Sequence, residues 1–107
     1  MRRVVATQFP DEMLLESSSL MGAAIRAART QSGLTLADAA LSAGVSKQTM
    51  QRIETDPSTV SFGLLLQVGR LLGVSLFAVP SASRGMVHKA VKALVRAEET
   101  ERLNHEA

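Results

Sequence analysis

The chain has 107 residues, 46% hydrophobic and 21% charged, with a formal net charge of +2. That suits one small folded domain with extensions, and a balance so mildly basic does not by itself announce a nucleic-acid partner. The absence of cysteine excludes disulfides, thiolate metal sites and cysteine nucleophiles and fits a reducing, cytoplasmic setting, while no stretch approaches the ~20 apolar residues of a membrane span.

Aromatic residues are limited to Phe9, Phe62 and Phe77, so alanine, leucine and valine must build the core. An aliphatic core of this kind suits close-packed helices. It is thin in a small domain, and help from a second subunit would be unsurprising.

Residues 1–18 form a leader. Val4–Ala6 can extend, Phe9-Pro10 stops any helix, and Asp11 can open a short one through Leu15. Gln8, Pro10, Asp11 and Glu12 interrupt any apolar run of signal-peptide length, so export is not expected. Ser17-Ser18-Ser19 reads as a hinge or as helix caps. A first helix is predicted over 20–32, with Met21, Ala24, Ile25 and Ala28 at helical spacing, Arg26 and Arg29 on other faces, and Gly33 as its left-handed stop.

Thr35 is placed to cap a second helix, about Leu36–Ala43, which Gly44 breaks. Ser46 is placed to cap a third, about Lys47–Thr55. Asp56–Thr59 is a turn cluster. Ser61 caps a fourth helix, where Leu65, Leu66, Val68, Leu71 and Leu72 are expected mostly buried and Gly73 is the end. Val74–Val79 alternates as a β-strand and Pro80 closes it. A lone strand needs a partner for its backbone groups. Within the chain the rival segment is Arg3–Thr7, and the other candidate is the same strand of a second copy. Residues 81–85 read as a link. A further helix spans Met86 to about Leu103, with Val87, Val91, Leu94 and Val95 along one stripe and a polar, acidic end. The expected domains are therefore a leader (1–18), a central domain ending in the 74–79 strand (19–80) and a helical extension (81–107).

Residues 35–53, TLADAALSAGVSKQTMQRI, carry the functional signal. Ala40, Gly44, Val45, Met50 and Ile53 have the offsets that let two short helices cross tightly. At 100° per residue with Lys47 at zero, Gln51 lies at about 40°, Gln48 at about 100° and Arg52 at about 140°, whereas Met50 and Ile53 lie at about 300° and 240°. The apolar pair therefore points inward and the four polar residues outward, as in a DNA-reading helix-turn-helix. Glutamine can pair with adenine N6 and N7, and lysine or arginine with guanine O6 and N7. Thr49, on the edge, can touch a thymine methyl. Thr35 and Ser46 stand at helix starts, where free N–H groups attract phosphate. Over 19–80 the basic residues Arg26, Arg29, Lys47, Arg52 and Arg70 outnumber Asp38, Glu54 and Asp56. Such a polar face is also what any solvated helix shows, and it is the apolar frame beneath it that favours DNA.

Through the stretches IRAARTQSGLTLADAALSAGVSKQTMQRIETD and SFGLLLQVGRLLGVSL, residues 20–72 resemble the Cro/repressor-type (XRE) helix-turn-helix family. The resemblance implies an all-α fold, a bundle of about five helices, with the helix matching Lys47–Glu54 in the major groove. It implies a backbone contact from the position of Thr35 or Leu36. Most members carry glutamine where Leu36 stands, and Glu54-Thr55-Asp56-Pro57 replaces the usual Glu-Asn/Asp-Gly. A narrower likeness, through DPSTVSFGLLLQVGRLLGVSLFAVP, is to HipB-type antitoxins. It implies a dimer-forming strand built from Val74, Leu76, Phe77 and Val79, a HipA-like kinase toxin as partner, and autorepression of the shared operon. A stand-alone or prophage XRE regulator would look nearly the same.

Nothing else in the chain points to chemistry. His88 and His105 stand seventeen apart with no partnering ligands, Ser17–Ser19 has no base at a recognisable spacing, and Gly63, Gly69 and Gly73 match no phosphate-loop pattern. The expected protein is a non-enzymatic, cofactor-free homodimeric repressor on a palindromic double-stranded operator. The acidic end of the last helix is expected to lie away from the duplex.

Overall fold

The computed structural model describes residues 3–11 and 15–106, the last two by their backbone alone. The short helix expected from Asp11 falls largely on residues 12–14, outside the described residues. The chain divides into two compact units, one of residues 3–10 and 15–76, the other of residues 77–106 with Asp11. The first holds four α-helices: α1 (Ser18–Gln31), α2 (Leu36–Ala43), α3 (Lys47–Thr55) and α4 (Phe62–Leu71), with a 3₁₀ turn at Pro57–Thr59. The second holds α5 (Arg84–Glu106) behind a 3₁₀ turn at Ser81–Ser83. Among the described residues the α-helices therefore divide four and one between the units.

Capping chemistry fixes the starts of α2, α3 and α4 and the end of α2. The Thr35, Ser46 and Ser61 hydroxyls accept the backbone N–H three residues on, from Asp38, Thr49 and Leu64, each cap being worth about 1 kcal/mol. Gly44 ends α2 in the left-handed conformation at φ 70°. That lets the Val45 N–H reach back to the Ala40 carbonyl at 3.0 Å and turns the chain sharply into α3.

The core collects one stripe from each of the four helices: Met21 and Ile25 of α1, Ala39, Ala40 and Ala43 of α2, Met50 and Ile53 of α3, and Leu65 and Val68 of α4. Leu36, Val45, Val60, Leu64, Leu72 and Leu76 close its edges. α4 departs from expectation: Leu66 is only half-buried and Leu71 is 50% exposed, because the inward face of so short a helix holds only Leu65, Val68 and Gly69.

Where α1 meets α3 the two backbones nearly touch. A Cβ on Gly22 would stand 2.6 Å from the Glu54 carbonyl oxygen and 2.8 Å from that of Ile53, so only glycine fits. At the end of α3 the Asp56 carboxylate accepts from the Ser58 N–H at 3.2 Å and from the Ser18 hydroxyl at 3.4 Å. Hydrogen bonds from the Ser58 side chain and backbone hold its carboxyl below the usual carboxylate range.

Residues 74–80 are non-helical and join no ladder among the described residues. Arg3–Thr7 does not pair with them. Instead the leader is tied to the end of α1: the Thr7 N–H donates to Thr30 Oγ1 at 2.8 Å, and Gln31 Nε2 donates to the Thr7 carbonyl at 2.8 Å. One copy of the chain leaves the 74–79 backbone without a strand partner.

Two glycines in helices make opposite predictions. Gly22→Ala must push α1 from α3 and is expected to cost about 1–3 kcal/mol despite the better helix propensity of alanine. Gly63→Ala, with nothing within 4 Å of its Cβ, should instead gain up to about 1 kcal/mol. Urea denaturation of the two variants checks both signs. For Asp56, NMR titration should find a carboxyl midpoint below the ordinary range, and Ser58→Ala should raise it. A lowered folded-state pKa means a contribution present at neutral pH and lost as pH falls through that midpoint.

Candidate nucleic-acid interface

α3 is a nine-residue helix with two sharply different faces. Met50 and Ile53 are fully buried, and burial of side chains this size is worth about 1.5–3 kcal/mol each. Lys47, Gln48, Gln51 and Arg52 are all exposed on the other side and Thr49 is half-buried at the edge. Helical spacing alone therefore places these side chains correctly. No acidic residue occupies the first turn of α3, so its N-terminal partial charge stays unopposed there and favours an anion.

The two capping hydroxyls differ in what they leave free. Ser46 Oγ accepts from the Thr49 N–H at 3.0 Å and donates to Thr49 Oγ1 at 2.9 Å. Its proton is thus engaged, and the Thr49 hydroxyl is the one left to donate outward. Thr35 Oγ1 accepts from the Asp38 N–H at 3.1 Å, and the Asp38 carboxylate in turn accepts from the Thr35 N–H at 3.2 Å. This reciprocal box stabilises α2 but sets a carboxylate at its start, where the charge reading looked for phosphate.

Beneath the exposed face lies an ion pair that spacing did not reveal. Arg29 Nε donates to Glu54 Oε2 at 2.6 Å and Nη2 to Oε1 at 3.0 Å, while Nη1 donates to the Leu34 carbonyl at 2.8 Å. The side chains are 11% and 5% exposed. Glu54 is therefore not a surface acid beside the exposed polar face of α3, and Arg29 is not on a solvated face of α1. The two cancel, leaving Arg26, Lys47, Arg52 and Arg70 against Asp38 and Asp56 as the formal charges of the bundle. The two-pronged geometry pins the last turn of α3 to α1 and so sets the angle at which the exposed polar face of α3 is presented. The only trace in the sequence is one arginine and one glutamate 25 positions apart.

A helix-turn-helix family model matches residues 25–79, which spans α2, its glycine turn, α3 and α4. The chain belongs to the helix-turn-helix family. Its type is the Cro/repressor (XRE) one, a DNA-binding regulatory domain. No curated protein matches the chain. Among the described residues, no helix is long and apolar enough to cross a membrane.

Removing one partner of the ion pair strands the other in a dry site. Glu54→Ala is expected to cost about 3–5 kcal/mol, whereas Arg29→Met with Glu54→Leu together should cost far less than the two single changes summed. Thermal melts of the four-member cycle measure this directly.

Proposed function

We propose that this helix-turn-helix protein is a sequence-specific transcriptional repressor that binds double-stranded DNA as a homodimer. Lys47, Gln48, Gln51 and Arg52 read base edges in the major groove. Thr49 meets a thymine methyl, and Thr35 and Ser46 lie against the backbone. The observation that carries this reading is the two-sidedness of α3: four hydrogen-bonding side chains exposed on one face, with Met50, Ile53 and the Arg29–Glu54 pair locking the other.

The dimer rests on a second observation. Val74, Leu76, Phe77 and Val79 lie on a non-helical segment in which the Val74 N–H is held by the Gly69 carbonyl but whose further backbone groups join no ladder among the described residues, and Phe77 is 68% exposed. Pairing this segment with its copy across a two-fold axis satisfies those groups and covers apolar surface. Two α3 helices about 34 Å apart, one turn of DNA, then call for a near-palindromic operator. Autoregulation follows if that operator lies at the protein's own promoter.

The second unit supports a further reading as an antitoxin with a HipA-like kinase as partner. Met86, Leu94 and Leu103 of α5 are exposed, at 77%, 65% and 57%, and DNA reading makes no use of them. Together with the likeness of residues 56–80 to HipB-type antitoxins, they favour a protein partner over DNA for this helix. Co-purification with the product of a neighbouring kinase-like gene supports that reading, and its absence leaves a stand-alone regulator.

Replacing Gln48 and Arg52 with alanine should abolish a gel shift on the protein's own promoter, at about 1–3 kcal/mol lost per bidentate base contact. Unchanged binding removes both from the reading face. Leu76→Pro deletes a ladder N–H and should sediment as a monomer. A variant that remains dimeric places the association surface elsewhere.

A further inference from the structure

The N-terminal leader is built into the first unit, and it carries a cation to a particular place. Thr7 is clamped at three points: its N–H and hydroxyl meet Thr30 Oγ1 at 2.8 and 3.0 Å, and its carbonyl accepts from Gln31 at 2.8 Å. Thr30 is itself 6% exposed, and its hydroxyl is held by the Arg26 carbonyl at 3.0 Å, so the anchor is rigid. Upstream of the clamp the leader runs past the start of α2. There Arg3, Arg29, Thr35 and Leu36 line an open hollow of about 350 Å³.

The charges around that hollow are unequal in what they can do. Three of the N–H groups of Arg29, one from each guanidinium nitrogen, are engaged by Glu54 and the Leu34 carbonyl. The Leu36 side chain offers no hydrogen bond, and Asp38, in the first turn of α2, is negative. The Arg3 side chain is the exposed cation. In a helix-turn-helix the helix before the reading helix crosses the DNA backbone, so phosphates pass close to this end of α2.

We infer that Arg3, held beside Thr35 by the Thr7–Thr30–Gln31 clamp, is a DNA-phosphate contact, and that the leader is part of the DNA interface. This rests on the DNA reading of α3. A guanidinium suits the role because its planar fork matches two phosphate oxygens. Such a contact gives affinity without sequence information.

The test is a salt titration of binding to two duplexes, the protein's own promoter and a scrambled version of it, by full-length wild type, Arg3→Ala and Thr30→Val. Loss of one phosphate contact lowers the slope of log K against log [salt] by about 0.9 per protomer. Arg3→Ala should show that drop and weaken both duplexes by the same factor. Thr30→Val, with thermal melting confirming that it folds, should reproduce the effect with Arg3 still present, because the clamp is lost. An unchanged slope for Arg3→Ala, while wild type binds the promoter, overturns the inference and leaves the reading helix intact. Wild type that binds neither duplex, nor any fragment selected from random DNA, overturns the DNA reading itself.

Discussion

The contact between α1 and the last turn of α3 is what the rest of the interface depends on. Gly22 lets the two backbones come within van der Waals range, and the Arg29–Glu54 pair closes the same contact from the side with two hydrogen bonds of 2.6 and 3.0 Å. A nine-residue helix is too short to be stable in water by itself. Its position comes from what it is pressed against. With Met50 and Ile53 in the core and Glu54 held by Arg29, α3 has one orientation available, and its polar face is presented as a rigid surface. Base readout needs that rigidity, since a bidentate contact depends on the donor and acceptor being aligned before the duplex arrives.

Charge follows the same logic. A glutamate on a DNA-reading helix would oppose the phosphates if it were exposed. Burying it against Arg29 removes a negative charge from the surface at the cost of one positive charge, and the bundle's formal net charge stays the same. What changes is the distribution: Lys47 and Arg52 remain on the exposed face of α3 with no acid in its first turn. Asp38 is the exception, retained at the start of α2 because it completes a capping box with Thr35.

Local features were legible in the sequence. Thr35, Ser46 and Ser61 stood where helices begin, Gly44 where one ends, and the angles of Met50 and Ile53 against Lys47, Gln48, Gln51 and Arg52 separated the buried face from the exposed one. These depend on interactions within a few residues or on helical periodicity. What was not legible depends on distant parts of the chain meeting. Arg29 and Glu54 look like two surface charges until α1 and α3 cross. Gly22 looks like a weak point in a helix until the Glu54 carbonyl is found where its Cβ would be. Thr7 and Thr30 gave no pattern at all, so the one contact the sequence offered for the leader was strand pairing of Arg3–Thr7 with 74–79. The 74–79 segment shows the converse: its alternation reads as a strand, but a strand is a property of a pair, and one chain does not supply the second member.

The central claim is that the polar face of α3 is the surface that meets DNA. NMR titration of the isotope-labelled full-length chain with a short duplex selected from random DNA tests it most directly. The account predicts that the largest backbone amide shifts fall between Ser46 and Arg52, with a second group at the start of α2, and that amides near the buried Met50 and Ile53 side chains keep their protection from hydrogen exchange. Shifts concentrated in α5, with residues 46–52 unmoved at saturation, would contradict it.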